Sequence, residues 1–113
     1  MPSSRVIRRP ALVAALVAGL LAVAAVSALA ATASVGVADN VFSVKHLTVS
    51  RGTRVVWKWT GVLYHNVTVR SGPVRFHSRT QAQGTFSHAF TRSGTYTLYC
   101  SIHKAMKMTV VVR

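Results

Sequence analysis

Apolar and polar residues alternate in short runs along the last two thirds of the chain. The clearest run covers residues 53–59, where Val55, Trp57 and Trp59 fall on one face and Arg54 falls on the other. An alternation with a period of two predicts a β-strand that buries one face. This run is therefore expected to be a β-strand with one buried face.

Similar runs recur at intervals of about 8–12 residues, with glycine or proline at most of the breaks. The further predicted strands cover residues 41–44, 47–49, 65–70, 85–90, 95–100 and 108–113. Apolar residues do not recur at helical spacing, so the pattern predicts an all-β sandwich or barrel. Residues 31–40 are small and polar and are expected to form a loose start. Residues 74–84 are poorly patterned and are expected to cross between two sheets.

The first third of the chain has a different character. Arg5, Arg8 and Arg9 precede an almost wholly apolar stretch over residues 11–31, which ends in small residues. This order predicts a secretory signal peptide over residues 1–33, followed by one domain over residues 34–113. The alternative is a retained membrane anchor, because the apolar stretch is long enough to span a bilayer. We therefore expect an exported protein, located in the periplasm, at the cell surface or outside the cell.

The charge balance limits the chemistry of the domain. The chain carries a net charge of +13 and one acidic residue, Asp39. Without the three arginines of the predicted signal peptide, the net charge is +10. A pair of catalytic carboxylates and a carboxylate-rich calcium site are excluded, and a Ser-His-Asp triad is disfavoured. We expect no enzyme, and an acidic partner protein.

One stretch near the end concentrates candidate metal ligands. Cys100, the only cysteine, is followed by His103 and then by Met106 and Met108. A disulfide within the chain is impossible, and a lone thiol in an oxidising compartment is a liability unless a metal occupies it. Thiolate, imidazole and thioether together select copper or zinc over hard cations.

The alternation of the predicted strands indicates His65 as a further candidate ligand. His65 begins one predicted strand and Cys100 ends another, and both continue the core-facing side. If these strands are antiparallel neighbours, the two side chains arrive at the same end of the fold, where the loop carrying His103 and a methionine can cover them. Two histidines and a cysteine with a weak axial methionine are typical of a blue-copper electron-transfer site.

The same residues resemble a known family. Gly52-Thr-Arg-Val-Val-Trp, His65-Asn-Val and the run from Gly94 to Met106 make residues 41–113 similar to small cupredoxins of the plastocyanin and amicyanin kind. The resemblance implies a Greek-key sandwich of about eight strands that holds one type 1 copper ion and carries electrons. His65, Cys100 and His103 would be the equatorial ligands, and His103 the exit for the electron. We expect a monomer.

The axial position has two candidates. Met106 gives the short ligand loop that resembles amicyanin, whereas Met108 gives the longer spacing that resembles plastocyanin. The β-branched stretch begins at Thr109, which favours Met106 as the ligand and Met108 as a packing residue. The resemblance also implies that Asn66 ties the His65 segment to the ligand loop at Ser101.

Other interpretations remain open at this point. A copper storage or delivery protein on the same fold fits the same residues, and zinc fits a cysteine with two histidines. A basic barrel that binds polyanions is less favoured, because export argues against nucleic acid. Three further histidines lack matching partners and are expected to be exposed or packed rather than ligands. They are His46, His77 and His88.

Overall fold

A computed structural model describes residues 31–113 of the chain. The predicted signal peptide lies almost entirely outside these residues, so both it and the proposed domain boundary stay predictions. No helix in residues 31–113 is long and apolar enough to cross a membrane.

Within residues 31–113, eight strands form two four-stranded sheets. They are β1 (Thr32–Ala38), β2 (Val41–Phe42), β3 (His46–Val49), β4 (Thr53–Trp59), β5 (Thr68–Ser71), β6 (Thr85–Phe90), β7 (Gly94–Cys100) and β8 (His103–Val112). The first sheet has the order β2-β1-β4-β6 and the second β3-β8-β7-β5. The expected all-β sandwich is confirmed, and residues 74–84 cross from the second sheet to the first as predicted.

Strand β4 lies inside the first sheet and behaves as its alternation predicts. Val55, Trp57 and Trp59 are buried, whereas Arg54 and Lys58 are exposed. The buried side chains pack with those of the second sheet in one core, because each sheet presents one apolar face to the other. Trp57 lies fully buried among the aromatic rings of that core.

The expectation of a loose start was wrong. Strand β1 pairs in parallel with β4, from Thr32 opposite Arg54 to Val37 opposite Trp59. Val35 and Val37 are buried, so a short apolar alternation was present within a stretch of small residues. The alanines, serine and glycine around the two valines made this alternation weak, and pairing with β4 gives the segment its order.

The second sheet brings the ends of β5 and β7 together. The two strands are antiparallel, with Thr68 opposite Tyr99 and Val69 opposite Leu98. The residues before β5 and the last residue of β7 therefore lie at the same end of the sandwich. His65 itself precedes β5 and forms an isolated bridge with Gln81. The strand predicted over residues 65–70 therefore begins at Thr68, three residues later than expected.

The final strand begins earlier than predicted. Strand β8 starts at His103 rather than near Thr109, and only Ser101 and Ile102 form the turn after β7. The register shifts between Tyr99 opposite Lys107 and Cys100 opposite His103, so residues 104–106 form a bulge of three residues without partners on β7. Two lysines in this stretch, Lys104 and Lys107, interrupted the apolar pattern, and both are exposed in the structure.

Candidate metal centre

Three predicted ligand residues meet at one end of the sandwich. The Cys100 Sγ atom lies 3.9 Å from His65 Nδ1 and 3.8 Å from His103 Nδ1, and the two Nδ1 atoms are 3.0 Å apart. A point equidistant from the three atoms lies about 2.1 Å from each, close to the length of metal–ligand bonds in proteins. Within residues 31–113, this is the only group of three or more histidine, cysteine or acidic side chains with ligand spacing.

Cys100 is held by the end of β7 and by a neighbouring main-chain group. Its side chain is fully buried, and its Sγ accepts a hydrogen bond from the backbone N–H of Asn66 at 3.4 Å. Thiolate is the form of cysteine that binds metals.

His65 is fixed through its main chain as well as its ring. Its backbone N–H and C=O exchange hydrogen bonds with Gln81, both 3.0 Å long. The Trp59 indole N–H also donates to the His65 carbonyl at 3.3 Å. The His65 side chain is fully buried, so its position is set by the core and not by solvent.

The predicted tie between Asn66 and Ser101 is confirmed. The Asn66 amide nitrogen donates to the hydroxyls of Ser101 at 2.8 Å and Thr80 at 2.9 Å. The amide oxygen accepts from the Ser101 N–H at 2.9 Å and the Thr68 hydroxyl at 2.8 Å. All four hydrogen-bonding positions of the amide are used, which fixes its orientation.

The two methionines differ in their surroundings. Both are buried on the same face of β8. Met108 lies opposite Leu98, and its sulfur accepts a hydrogen bond from the Trp57 indole N–H at 3.4 Å, so it belongs to the core. Met106 lies in the bulge between Cys100 and the regular part of the strand, closer along the chain to the ligand end.

Asp39 contacts the cluster, a role that the sequence did not predict. Its Oδ1 lies 3.3 Å from His65 Nε2, the ring nitrogen that faces away from Cys100. Hydrogen bonds from the backbone N–H groups of Leu63 and Val62 hold the pKa of the Asp39 carboxyl below its usual range. The one feature of the sequence that could have drawn attention to Asp39 is that it is the only acidic residue of the chain.

The remaining histidines stay apart from this cluster. His46 and His77 are exposed, whereas His88 is half-buried. The His88 ring stacks on Phe76 with centroids 3.8 Å apart. Burial, with a smaller contribution from the positive charge of Arg54, lowers the pKa of His88.

Comparison with known proteins agrees with this geometry. Residues 30–113 match the family of copper binding proteins of the plastocyanin/azurin type. The chain is 35% identical to amicyanin-alpha of Methylorubrum extorquens over an alignment of 103 residues, which covers 88% of this chain and 86% of that protein.

Solved structures show the same likeness. An oxidised amicyanin with a methionine-to-leucine substitution is similar at a TM-score of 0.66 and 26% identity, over 72% of this chain and 81% of that one. A copper-containing nitrite reductase from Thermus scotoductus SA-01 is also similar, at a TM-score of 0.66 and 28% identity. That likeness covers 75% of this chain but only 22% of the reductase, so it concerns one part of the enzyme.

The sandwich and its cysteine–histidine cluster define the class as a type 1 copper protein of the cupredoxin kind, an electron carrier. The chain belongs to the plastocyanin/azurin family of copper-binding proteins.

Proposed function

We propose that His65, Cys100 and His103 are the equatorial ligands of one copper ion and that Met106 is the axial ligand. The spacing of the three donor atoms carries this proposal, because it fits a trigonal site without rearrangement. A copper ion bound there supplies one-electron chemistry by alternating between its +1 and +2 states. The hydrogen bond between Met108 and Trp57 supports giving the axial role to Met106.

The surroundings of these ligands favour electron transfer over release of copper. Cys100 and His65 are fully buried, and the amide of Asn66 joins the segment before β5 to the turn after β7. Such outer contacts keep ligands in place, so little reorganisation accompanies each electron. The domain therefore transfers electrons and has no substrate of its own, and a storage or delivery role is the less favoured use of the same site.

The exit for the electron is His103. Its ring is partly exposed and lies 4.8 Å from the buried ring of His65. Tyr64 and Ile102, the residues directly before the two histidines, are 63% and 52% exposed. An apolar surface around a partly exposed ligand fits the small, short-lived contacts that redox proteins make.

The partner is an acidic redox protein met outside the cytoplasm. The segment 34–113 carries a net charge of +10, and the exposed Lys104 directly follows His103 in β8. Opposite charges steer two proteins together and raise the association rate, most strongly at low salt. The domain acts as a monomer that alternates between donor and acceptor.

Titration with Cu(II), followed by absorption spectroscopy, tests the ligand set. One equivalent should give an intense blue colour from charge transfer between thiolate and copper, and Cys100→Ser should abolish it. A colourless one-to-one complex would refute the type 1 site. Colour that survived in Cys100→Ser would place copper elsewhere, and Zn(II) in place of Cu(II) serves as the colourless control.

A second measurement on the blue protein distinguishes an electron carrier from a copper delivery protein. A carrier should show a reversible reduction potential and fast self-exchange, and it should keep its copper in the presence of a chelator. Rapid loss of copper to the chelator, together with slow self-exchange, would instead indicate a delivery protein.

A further inference from the structure

Asp39 lies directly after β1, in the turn that leads to β2. Its carboxylate accepts hydrogen bonds from the backbone N–H of Leu63 at 2.9 Å and from that of Val62 at 3.1 and 3.2 Å. The fourth contact, to His65 Nε2, is 3.3 Å long. One carboxylate thus joins the turn after β1, the loop after β4 and the buried histidine of the metal centre.

The loop after β4 is shaped around this carboxylate. Gly61 approaches it so closely that a Cβ atom there would overlap Asp39 Oδ1 and lie 2.9 Å from the Asp39 backbone nitrogen. Only glycine leaves room for the contact. The Asp39 side chain is 32% exposed, and the His65 side chain that it contacts is 0% exposed.

The contact assigns a role to each nitrogen of the His65 ring. The Nδ1 atom faces Cys100 and His103, so a metal bound by these residues takes the lone pair of Nδ1. The Nε2 atom must then carry the proton and donate it in a hydrogen bond. A carboxylate only accepts hydrogen bonds, so Asp39 selects this tautomer.

We propose that Asp39 is a positioning residue of the copper site, which holds the His65 ring in the Nε2–H tautomer and places a negative charge behind it. This inference rests on His65 being a copper ligand, as proposed above. A hydrogen-bonded carboxylate makes the imidazole a stronger donor. The stronger donor and the negative charge both favour Cu(II) over Cu(I), so Asp39 lowers the reduction potential.

Asp39→Asn tests the proposal, because it removes the charge while nearly keeping the shape. The reduction potential should rise, and the affinity for Cu(II) should fall about 10- to 100-fold, the usual effect of losing such a partner. Circular dichroism shows whether the variant is folded. The matched control is Thr48→Lys, which adds the same single positive charge on the exposed face of β3, opposite Val111 and away from the metal centre.

A potential and a Cu(II) affinity equal to those of Thr48→Lys would overturn the proposal. Nuclear magnetic resonance of the His65 ring in the reduced wild-type protein gives a second test that needs no variant. The Nε2 proton should be observable and protected from exchange with water, whereas a rapidly exchanging proton would contradict the contact with Asp39. A wild-type protein that formed no blue complex would refute the ligand set itself, which is a different failure.

Discussion

Asn66 and Ser101 are joined by two hydrogen bonds that run in opposite directions. The Asn66 amide donates to the Ser101 hydroxyl at 2.8 Å and accepts from the Ser101 N–H at 2.9 Å. Each of the two residues directly follows a proposed ligand, His65 in one case and Cys100 in the other. The pair therefore fixes the distance between two segments that are far apart in the chain.

Removing this amide should cost stability as well as order at the site. We expect Asn66→Ala to lower the free energy of unfolding by about 1–3 kcal/mol, because it removes the four hydrogen bonds made by the side-chain amide of this buried residue. Denaturant unfolding measures the change. Ser101→Ala removes only one of the two hydrogen bonds between the residues, so it should cost clearly less, and an equal or greater loss would contradict the argument.

Substitution of the two methionines should have different effects on the reduction potential. Met106→Leu should raise the reduction potential, because it replaces a weak donor to Cu(II) with an apolar group. Met108→Leu should leave the potential unchanged and should lower stability by about 0.5–1.5 kcal/mol, through loss of the Trp57 hydrogen bond. Voltammetry and denaturant unfolding of both variants check this. The opposite result would move the axial role to Met108.

The grouping of His65, Cys100 and His103 could be predicted from the sequence, because metal ligands require particular residue types at particular spacings. Cys100 and His103 lie close together in the chain, and the alternation around residues 65–70 gave His65 the correct facing. Asp39 was not found, because its role depends on a turn and a loop that meet only in the folded chain. Nothing in local sequence pairs a residue after β1 with a histidine 26 positions later.

The fold was predicted where the alternation was strong and missed where it was weak. Strand β4 combines aromatic and β-branched residues with charged ones, so its two faces are obvious. Strand β1 has only two valines among small residues, and its pairing partner lies in parallel on β4. Because parallel strands are not joined by a hairpin turn, the sequence carries no turn signal for the pairing of β1 with β4.

Strand β1 should nevertheless contribute strongly to stability. Val35 is 1% exposed in the core, and shortening it leaves a small cavity where the surroundings cannot fully collapse. We expect Val35→Ala to lower the free energy of unfolding by about 2 kcal/mol. The neighbouring Ser34→Ala lies on the exposed side of the strand and should stay within about 0.5 kcal/mol of wild type. Equal effects in the two variants would show that the strand does not pack as described.

His88 should make folding sensitive to mild acid. Its half-buried ring stacks on Phe76, and burial, with Arg54 adding repulsion, lowers the pKa of the folded protein's imidazole. The fold therefore favours the neutral ring. Its contribution to stability is complete above the pKa of the unfolded chain, about 6.5, and is lost as the pH falls from there through the lower pKa of the folded state.

Unfolding free energies at pH 7.5 and pH 5 measure this dependence. Wild-type protein should lose stability between the two values, and His88→Phe, which keeps an aromatic ring beside Phe76, should lose less. The exposed His77→Gln serves as the control and should behave like wild type. If His88→Phe lost as much stability as wild type, the pH dependence would have to arise from another group.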